Sequence, residues 1–364
     1  MEPYRQGLFK PKYIDMETLD YEESAEDYRR QVFDLTTMLE IGKTLNATLS
    51  LDDVLDIIKL TCSGHFHVSD SDLLLPVERG GQSYFTYPPE RGDMEFGPNH
   101  PLIKHFKENQ RVIHVDELKE MAKLKAVYRR LQKDNIEIIV PLRFKYQING
   151  ILCIAKKEKG FGSRYTDDEI RYIDIIAGFA SVAIENARLY EMATLDRKTG
   201  LYNHGFFQNR LVEEMERAER YKTDLTLMIL DVDHFKQIND THGHMKGDEV
   251  LVQIARTLRE QIRTYDIPAR FGGEEFMVIL PETDSEKALI VAERLRRSIE
   301  KINYKSSRGN FNITASIGVT SYVHSSDLTE DIFIERSDQA LYRAKENGRN
   351  QVVRYDDIAE KVHA

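Results

Sequence analysis

The stretch Leu225-Thr-Leu-Met-Ile-Leu230 runs straight into Asp231-Val-Asp233. A buried strand that ends in an acid sets a carboxylate at the rim of a sheet, where the ligands of such sheets sit. Asp231 and Asp233 are two apart, so extended backbone gives them one face. Hard oxygen donors of this kind suit Mg²⁺, which keeps water and substrate phosphates as its other ligands. Asp233 taken alone reads better as an acid complementing the dipole of a helix that opens at Phe235-Lys236.

Two further strings bear on the same chemistry. Arg270-Phe-Gly-Gly-Glu-Glu-Phe276 precedes an apolar run over 276–280 and reads as a hairpin with Gly272-Gly273 as a two-residue turn. Glycines there allow positive φ and let a substrate approach the backbone. Glu274 and Glu275 are adjacent in an extended chain, so at most one shares a face with Asp231. Near the end of the chain, Lys345 and Arg349 are four apart at a helix C-terminus. They read either as partners of the helix dipole or as a clamp for phosphate. Carboxylates for a metal, glycines for close approach and cations for phosphate together describe a nucleotidyl or phosphoryl transfer site. They do not name the nucleotide.

The chain around these strings divides by pattern. Strands are expected at 225–230, 276–280 and 313–319, and helices at 248–263, 286–302 and 330–347. Upstream, Val32, Leu35 and Leu39 predict a helix over about 25–45. Ser50, Asp52 and Asp53 open another over 51–60. Short β-rich runs follow at 73–75, 83–87, 136–142 and 148–155. The last two form an antiparallel pair, with Asn149-Gly150 as a turn or a bulge. Thr166 and Glu169 make a capping box. Ile170, Ile173, Ala177, Ala180, Ile184 and Ala187 then repeat in steps of three and four. That is a heptad seam, either one helix packed on its own domain or a parallel dimer stalk. The fold class is α+β. The expected divisions are a polar tail at 1–25, a domain at 26–165, the helical linker at 166–193 and a second domain at 194–364.

Residues 194–357 resemble a GGDEF domain of the diguanylate cyclase family, in its Gly-Gly-Glu-Glu-Phe form. Asp196-Arg-Lys-Thr-Gly-Leu-Tyr-Asn203, Asp231 to Asp240, Gly243-His244, Gly247-Asp248, Arg270 to Phe276, Ser316-Ile-Gly318 and Asp338 to Asn350 fall in family order. The resemblance implies a cyclase-like sheet wrapped by helices, and the condensation of two GTP to cyclic di-GMP and two pyrophosphates. It implies Mg²⁺ or Mn²⁺ on Asp231, the carbonyl of Val232, Glu274 and Glu275, with one glutamate, preferably Glu274, as base. Lys236, Lys345 and Arg349 are implied at phosphates. Asn239 and Asp248 are implied at the guanine edge, where an acid accepts from N1–H and the amino group. Phe235, His244, Gly272 and Gly273 are implied around the substrate. Arg263-Thr-Tyr-Asp266, with Arg294, resembles the family's inhibitory site for cyclic di-GMP. The product joins two GTP while each chain has one ligand set, so a homodimer is required. The alternative is a catalytically silent receptor of GTP or cyclic di-GMP. Residues 30–190 resemble a GAF sensor domain by arrangement, with an unknown small-molecule ligand.

Composition excludes other classes. The chain has 364 residues and a net charge of −10, which argues against a nucleic-acid-coating protein. Hydrophobic content of 41% beside 31% charged residues is globular, so wholesale disorder is excluded. Two cysteines cannot build a disulfide framework. No run approaches the roughly 20 apolar residues of a membrane span, and the start lacks a signal-peptide core. A soluble cytoplasmic protein without membrane partners is expected.

Overall fold

The computed structural model describes residues 25–362, apart from 80–81, 87–94, 163, 307 and 325–327. Residues 1–24 of the tail expected at 1–25, and Tyr87 of the expected 83–87 strand, lie outside the described residues. The chain divides into two compact units, Met1–Arg188 and Leu189–Ala364.

In the first unit, α1 (Ala25–Ala47) and α2 (Leu51–Phe66) precede β1 (Ser71–Leu74), β2 (Pro76–Arg79), β3 (Gln82–Thr86) and β4 (Glu95–Phe96). Then come α3 (Pro101–Glu108), β5 (Ile113–His114), α4 (Lys125–Lys133), β6 (Ile136–Phe144), β7 (Gln147–Ala155) and α5 (Asp167–Thr194). The Ser50 hydroxyl caps α2 by accepting from Asp53 N. An antiparallel sheet in the order β1-β7-β6-β5 is buried on both faces. Along β7, Leu152 and Ile154 enter one core with α2 and α5, while Ile151 and Cys153 enter the other with α3 and α4, as a period of two demands. Asn149 is a bulge: Leu142 pairs with Gly150 and Arg143 with Ile148, so Asn149 is the extra residue. Its amide donates to Ser181 O of α5 at 2.9 Å, fixing that helix to the sheet.

The capping box closes as expected, with Thr166 N donating to Glu169 Oε2 at 2.8 Å and Glu169 N to Thr166 Oγ1 at 3.3 Å. The seam behind it corrects one expectation. Ile173, Ala177, Ala180, Ile184 and Ala187 are buried in the first unit's own core, and Ile170 packs against it. This face is therefore consumed within one chain and does not join two.

The second unit carries α6 (His204–Tyr221), β8 (Leu225–Val232), α7 (Phe235–His242), α8 (His244–Gln261), β9 (Ile267–Arg270) and β10 (Glu275–Pro281). It continues through α9 (Ser285–Glu300), β11 (Asn303–Tyr304), β12 (Phe311–Asn312), β13 (Ala315–Ser321), α10 (Glu330–Glu346), β14 (Val352–Arg354) and α11 (Tyr355–Val362). The sheet order is β14-β13-β8-β10-β9, antiparallel except for β13 with β14. All eight residues of β8 are buried, as its position between two neighbouring strands requires. Helix α10 packs onto β13 through Gly318, where a Cβ would lie 2.3 Å from Ser337 O and 2.4 Å from Leu341 N. Only a bare backbone fits there.

Candidate active site

Strand β8 runs two residues further than its apolar stretch, and this sets the site. Asp231 lies inside the ladder as the cross-strand partner of Glu275 on β10 and of Ser316 on β13. Val232 N donates to Glu274 O at 3.3 Å. The acids of two separate segments thus meet at one rim of the sheet. Asp231 is buried, and its Oδ2 holds the Lys345 ammonium at 2.9 Å. Burial still raises the Asp231 carboxyl above the ordinary carboxylate range, against the pull of Lys345 and Arg349. Glu274 is raised too, by burial first and then by the Asp231 charge, with Lys345 opposing. Two carboxylates that repel each other, beside cations that only partly compensate, form a site with an unmet demand for positive charge.

Glu275 is placed differently. A Cβ built on Gly272 would lie 2.6 Å from Glu275 Oε2, so this carboxylate folds over the hairpin. Among the described residues, no three His, Cys, Asp or Glu side chains close around one point. The acidic pair here is Asp231 with Glu274.

The hairpin departs from a two-residue turn. Arg270 pairs with Phe276, and Phe271 N donates to Glu275 O at 2.9 Å, leaving Gly272, Gly273 and Glu274 in the loop. Neither glycine has positive φ. Nothing lies within 4 Å of a Cβ placed on Gly273, so the chain's own atoms do not require a glycine there. Arg270 fixes the loop by donating to Gly273 O at 2.7 Å while its other nitrogen reaches Asp196 at 3.2 Å. Thr199 closes the same turn by donating to Asp196 from its hydroxyl and its backbone. The segment 196–203 therefore braces the hairpin, a positioning role that its sequence did not reveal.

Asp233 is not a helix cap. Its carboxylate accepts from Thr314 and Ser316 hydroxyls, each at 2.7 Å, and from Asn350 N at 3.1 Å. It ties β13 to the loop after α10, where Arg349 and Asn350 both have positive φ. Asp233 thereby helps place Arg349 beside the acidic pair.

A second cluster lies on α7 and α8. Asn239 Oδ1 is buried without a hydrogen-bond partner and faces bare Gly247, where a Cβ would come within 2.0 Å. Phe235 belongs to the core beneath it. Asp248 ion-pairs with Lys198, fifty residues earlier, a link no local pattern showed. Lys236 stands in the first turn of α7 and His244 opens α8. Elsewhere, Asp266 Oδ2 accepts from Arg263 N at 2.7 Å, and Arg294 donates to Gln261 O. Asp266 Oδ1 is buried without a partner, and its carboxyl is raised by burial against the pull of Arg263 and Arg294.

An acidic pair with Lys345 and Arg349 as neighbouring cations, at the rim of a mostly antiparallel sheet, is apparatus for nucleotidyl transfer. Residues 193–351 match the family model "Diguanylate cyclase, GGDEF domain". Diguanylate cyclase A of Treponema denticola is 32% identical over 333 residues, covering 89% of this chain and 89% of that protein. Diguanylate cyclase DgcP of Pseudomonas aeruginosa is 44% identical over 162 residues, covering 44% of this chain and 24% of that protein. The crystal structure of the coiled coil and GGDEF domain of DgcB from Caulobacter crescentus, in complex with cyclic di-GMP, aligns at 30% identity with a TM-score of 0.47, covering 52% of this chain and 100% of that chain. The chain belongs to the diguanylate cyclase family and is an enzyme of that activity. No helix among the described residues is long and apolar enough to cross a membrane.

Proposed function

We propose that two copies of this chain, each holding one GTP, condense their substrates into cyclic di-GMP with release of two pyrophosphates. The observation that carries this reading is the Asp231–Glu274 pair, whose carboxyls are both raised and only partly offset by Lys345. A divalent cation answers that demand, and the oxygen donors suit Mg²⁺ or Mn²⁺. Asp231, the carbonyl of Val232 and Glu274 would hold it. When bound, it would polarise the α-phosphate and neutralise the triphosphate.

The remaining roles belong to the chain. Glu274 feels the Asp231 charge and is assigned to the metal. Glu275, turned over the open hairpin, is assigned to accept the 3′-hydroxyl proton, in place of Glu274. Lys345 leaves Asp231 for phosphate once another cation holds that carboxylate, and Arg349 and Lys236 serve the same triphosphate. Asn239 and Asp248 orient guanine, with Lys198 setting the Asp248 carboxylate. Cyclic di-GMP returns to Arg263, Asp266 and Arg294 as inhibitor. The first unit, a doubly covered antiparallel sheet between terminal helices, serves as a GAF-like sensor for an unidentified small molecule.

Incubation of the full chain with GTP and Mg²⁺, followed by nucleotide chromatography, tests the reading. Cyclic di-GMP is the expected product. GTP bound without turnover would instead identify a silent receptor, a reading disfavoured by the presence of Asp231, Lys236, Glu274 and Glu275.

A further inference from the structure

The pair of β6 and β7 is irregular a second time, at the end away from its turn. Ile136 pairs with Ala155 and Ile138 with Ile154, so Glu137 is left out of the ladder. Ile136 and Ile139 enter the core with α3 and α4, while Ile138 enters the core with α2 and α5. An unbroken period of two would place Ile136 with Ile138 and would turn Glu137 inwards beside Ile139. The bulge instead delivers the carboxylate to the end of the sheet.

There Glu137 lines a cavity of about 210 Å³ together with His114, Asp116, Gln132, Lys156 and Arg164. Gln132 joins two of these. Its Nε2 donates to Asp116 Oδ1 at 3.3 Å, and its Oε1 accepts from Lys156 Nζ at 3.4 Å. Glu137 and Arg164 feel each other electrostatically, yet neither side chain has a hydrogen bond or an ion pair among the described residues. Burial raises the Glu137 carboxyl, and His114, Lys156, Lys157 and Arg164 pull it back. Lys157 is already committed to Glu169. The frame around the cavity is fixed. His114 pairs with Ile138, and the hydroxyl of Tyr165, next to Arg164, donates to Ala155 O at 2.7 Å.

The wall decides what fits. It carries both signs of charge and one apolar side chain, Val115, so it suits neither a lipid nor a polyanion. No three His, Cys, Asp or Glu side chains among the described residues close around one point, which disfavours a metal ion alone. One unpaired carboxylate and one unpaired guanidinium remain, and each calls for an opposite charge. Drug-sized ligands occupy roughly 300–1,000 Å³, so the occupant here is smaller. We infer that this cavity binds a free α-amino acid, its ammonium on Glu137 and its carboxylate on Arg164 and Lys156. The inference deepens the sensor reading of the first unit and rests on it for the purpose of binding. Arg164 stands two residues before the capping box of α5, so an occupant ties the start of that helix to the sheet.

Calorimetric titration of the full chain with the common protein amino acids, one at a time, tests the site. Acetate and methylamine, which carry one charge each, and inorganic phosphate are titrated beside them. Wild type is compared with Glu137→Gln, Arg164→Gln and Lys145→Gln, Lys145 being an exposed control at the β6–β7 turn. Thermal melts establish that each variant is folded, as the lack of partners at 137 and 164 allows. At least one amino acid should bind wild type and control at least about 10-fold more tightly than acetate, methylamine or phosphate. Each site variant should weaken it by at least about 10-fold, the worth of one charge-assisted hydrogen bond. No amino acid bound, a single-charge probe or phosphate bound as tightly, or binding that survives both site variants overturns the site. Binding that the site variants abolish but that leaves the rate of cyclic di-GMP formation unchanged upholds the site and sinks the sensor reading instead.

Discussion

Asp231 and Glu275 are direct cross-strand partners, forty-four positions apart in sequence and side by side at the rim of the second unit's sheet. Their register brings Glu274 to the edge of β8, where its carbonyl accepts from Val232 N. One slip of register would send Asp231 to the other face of the sheet. The antiparallel ladder from Asp231 to Leu225 is therefore what builds the acidic site.

Lys345 should act as a competitor of the metal at Asp231. Replacing it by Met removes the 2.9 Å ion pair and leaves Asp231 uncompensated. Mg²⁺ binding to the GTP-free protein should tighten several-fold, while the KM for GTP rises roughly 10-fold through loss of a phosphate contact. Calorimetric titration with Mg²⁺ measures the first and initial rates the second. Unchanged Mg²⁺ affinity would remove Lys345 from this role.

Asp248→Asn should weaken GTP binding by roughly 100-fold and narrow the preference over ATP, since an amide cannot accept from both guanine donors. Lys198→Met should give a smaller loss, because Lys198 ion-pairs with Asp248 and is assigned only to hold that carboxylate. Competition between GTP and ATP in a binding assay reads both. Equal effects of the two substitutions would contradict the division of roles.

Gly318→Ala should destabilise the second unit by about 3 kcal/mol, the upper range for overpacking against backbone. The added methyl would meet Ser337 O and Leu341 N, neither of which can rotate away. Urea unfolding gives the number. An unchanged midpoint would show that α10 can move off β13 at little cost.

Glu293 provides a pH test. Hydrogen bonds from Arg296, with burial opposing them, hold its carboxyl down from 4.5 to about 2. A depressed folded value means stability that is present above 4.5 and lost as pH falls towards 2. Arg296 also donates to Asn350 Oδ1 at 2.6 Å, so the network steadies the loop held by Asp233. Glu293→Gln should lower Tm at pH 7, and the gap to wild type should close between pH 4.5 and 2. A gap independent of pH would mean that the Glu293 charge is not the cause.

Arg263→Ala should relieve inhibition by cyclic di-GMP, raising the inhibitory concentration at least roughly 10-fold without changing the initial rate. Arg263 presents Asp266 through its backbone N–H, which the substitution keeps, so the pocket itself should persist. Unaltered inhibition would place the product elsewhere.

Most of the site could be read from residues because its strings are local. An apolar run, its terminal acids and a Gly-Gly-Glu-Glu hairpin each lie within ten residues, and a period of two fixes their faces. What the residues did not show depends on partners far along the chain. Lys198 and Asp248, Arg270 and Asp196, and Asp233 with Asn350 pair only once the fold exists. Helix α5 misled for a different reason. Its steps of three and four suit either a dimer stalk or its own core, and spacing alone does not say which one covers them. The strand limits of β8 were short by two because Asp231 and Val232 still belong to the ladder although apolarity ends at Leu230.

The most direct test compares Asp231→Asn and Glu274→Gln with wild type, following cyclic di-GMP formation and GTP binding in parallel. If carboxylates from β8 and the hairpin share one cation, each substitution should cut turnover by roughly 1,000-fold while GTP still binds. Near-normal turnover in both variants would contradict the account.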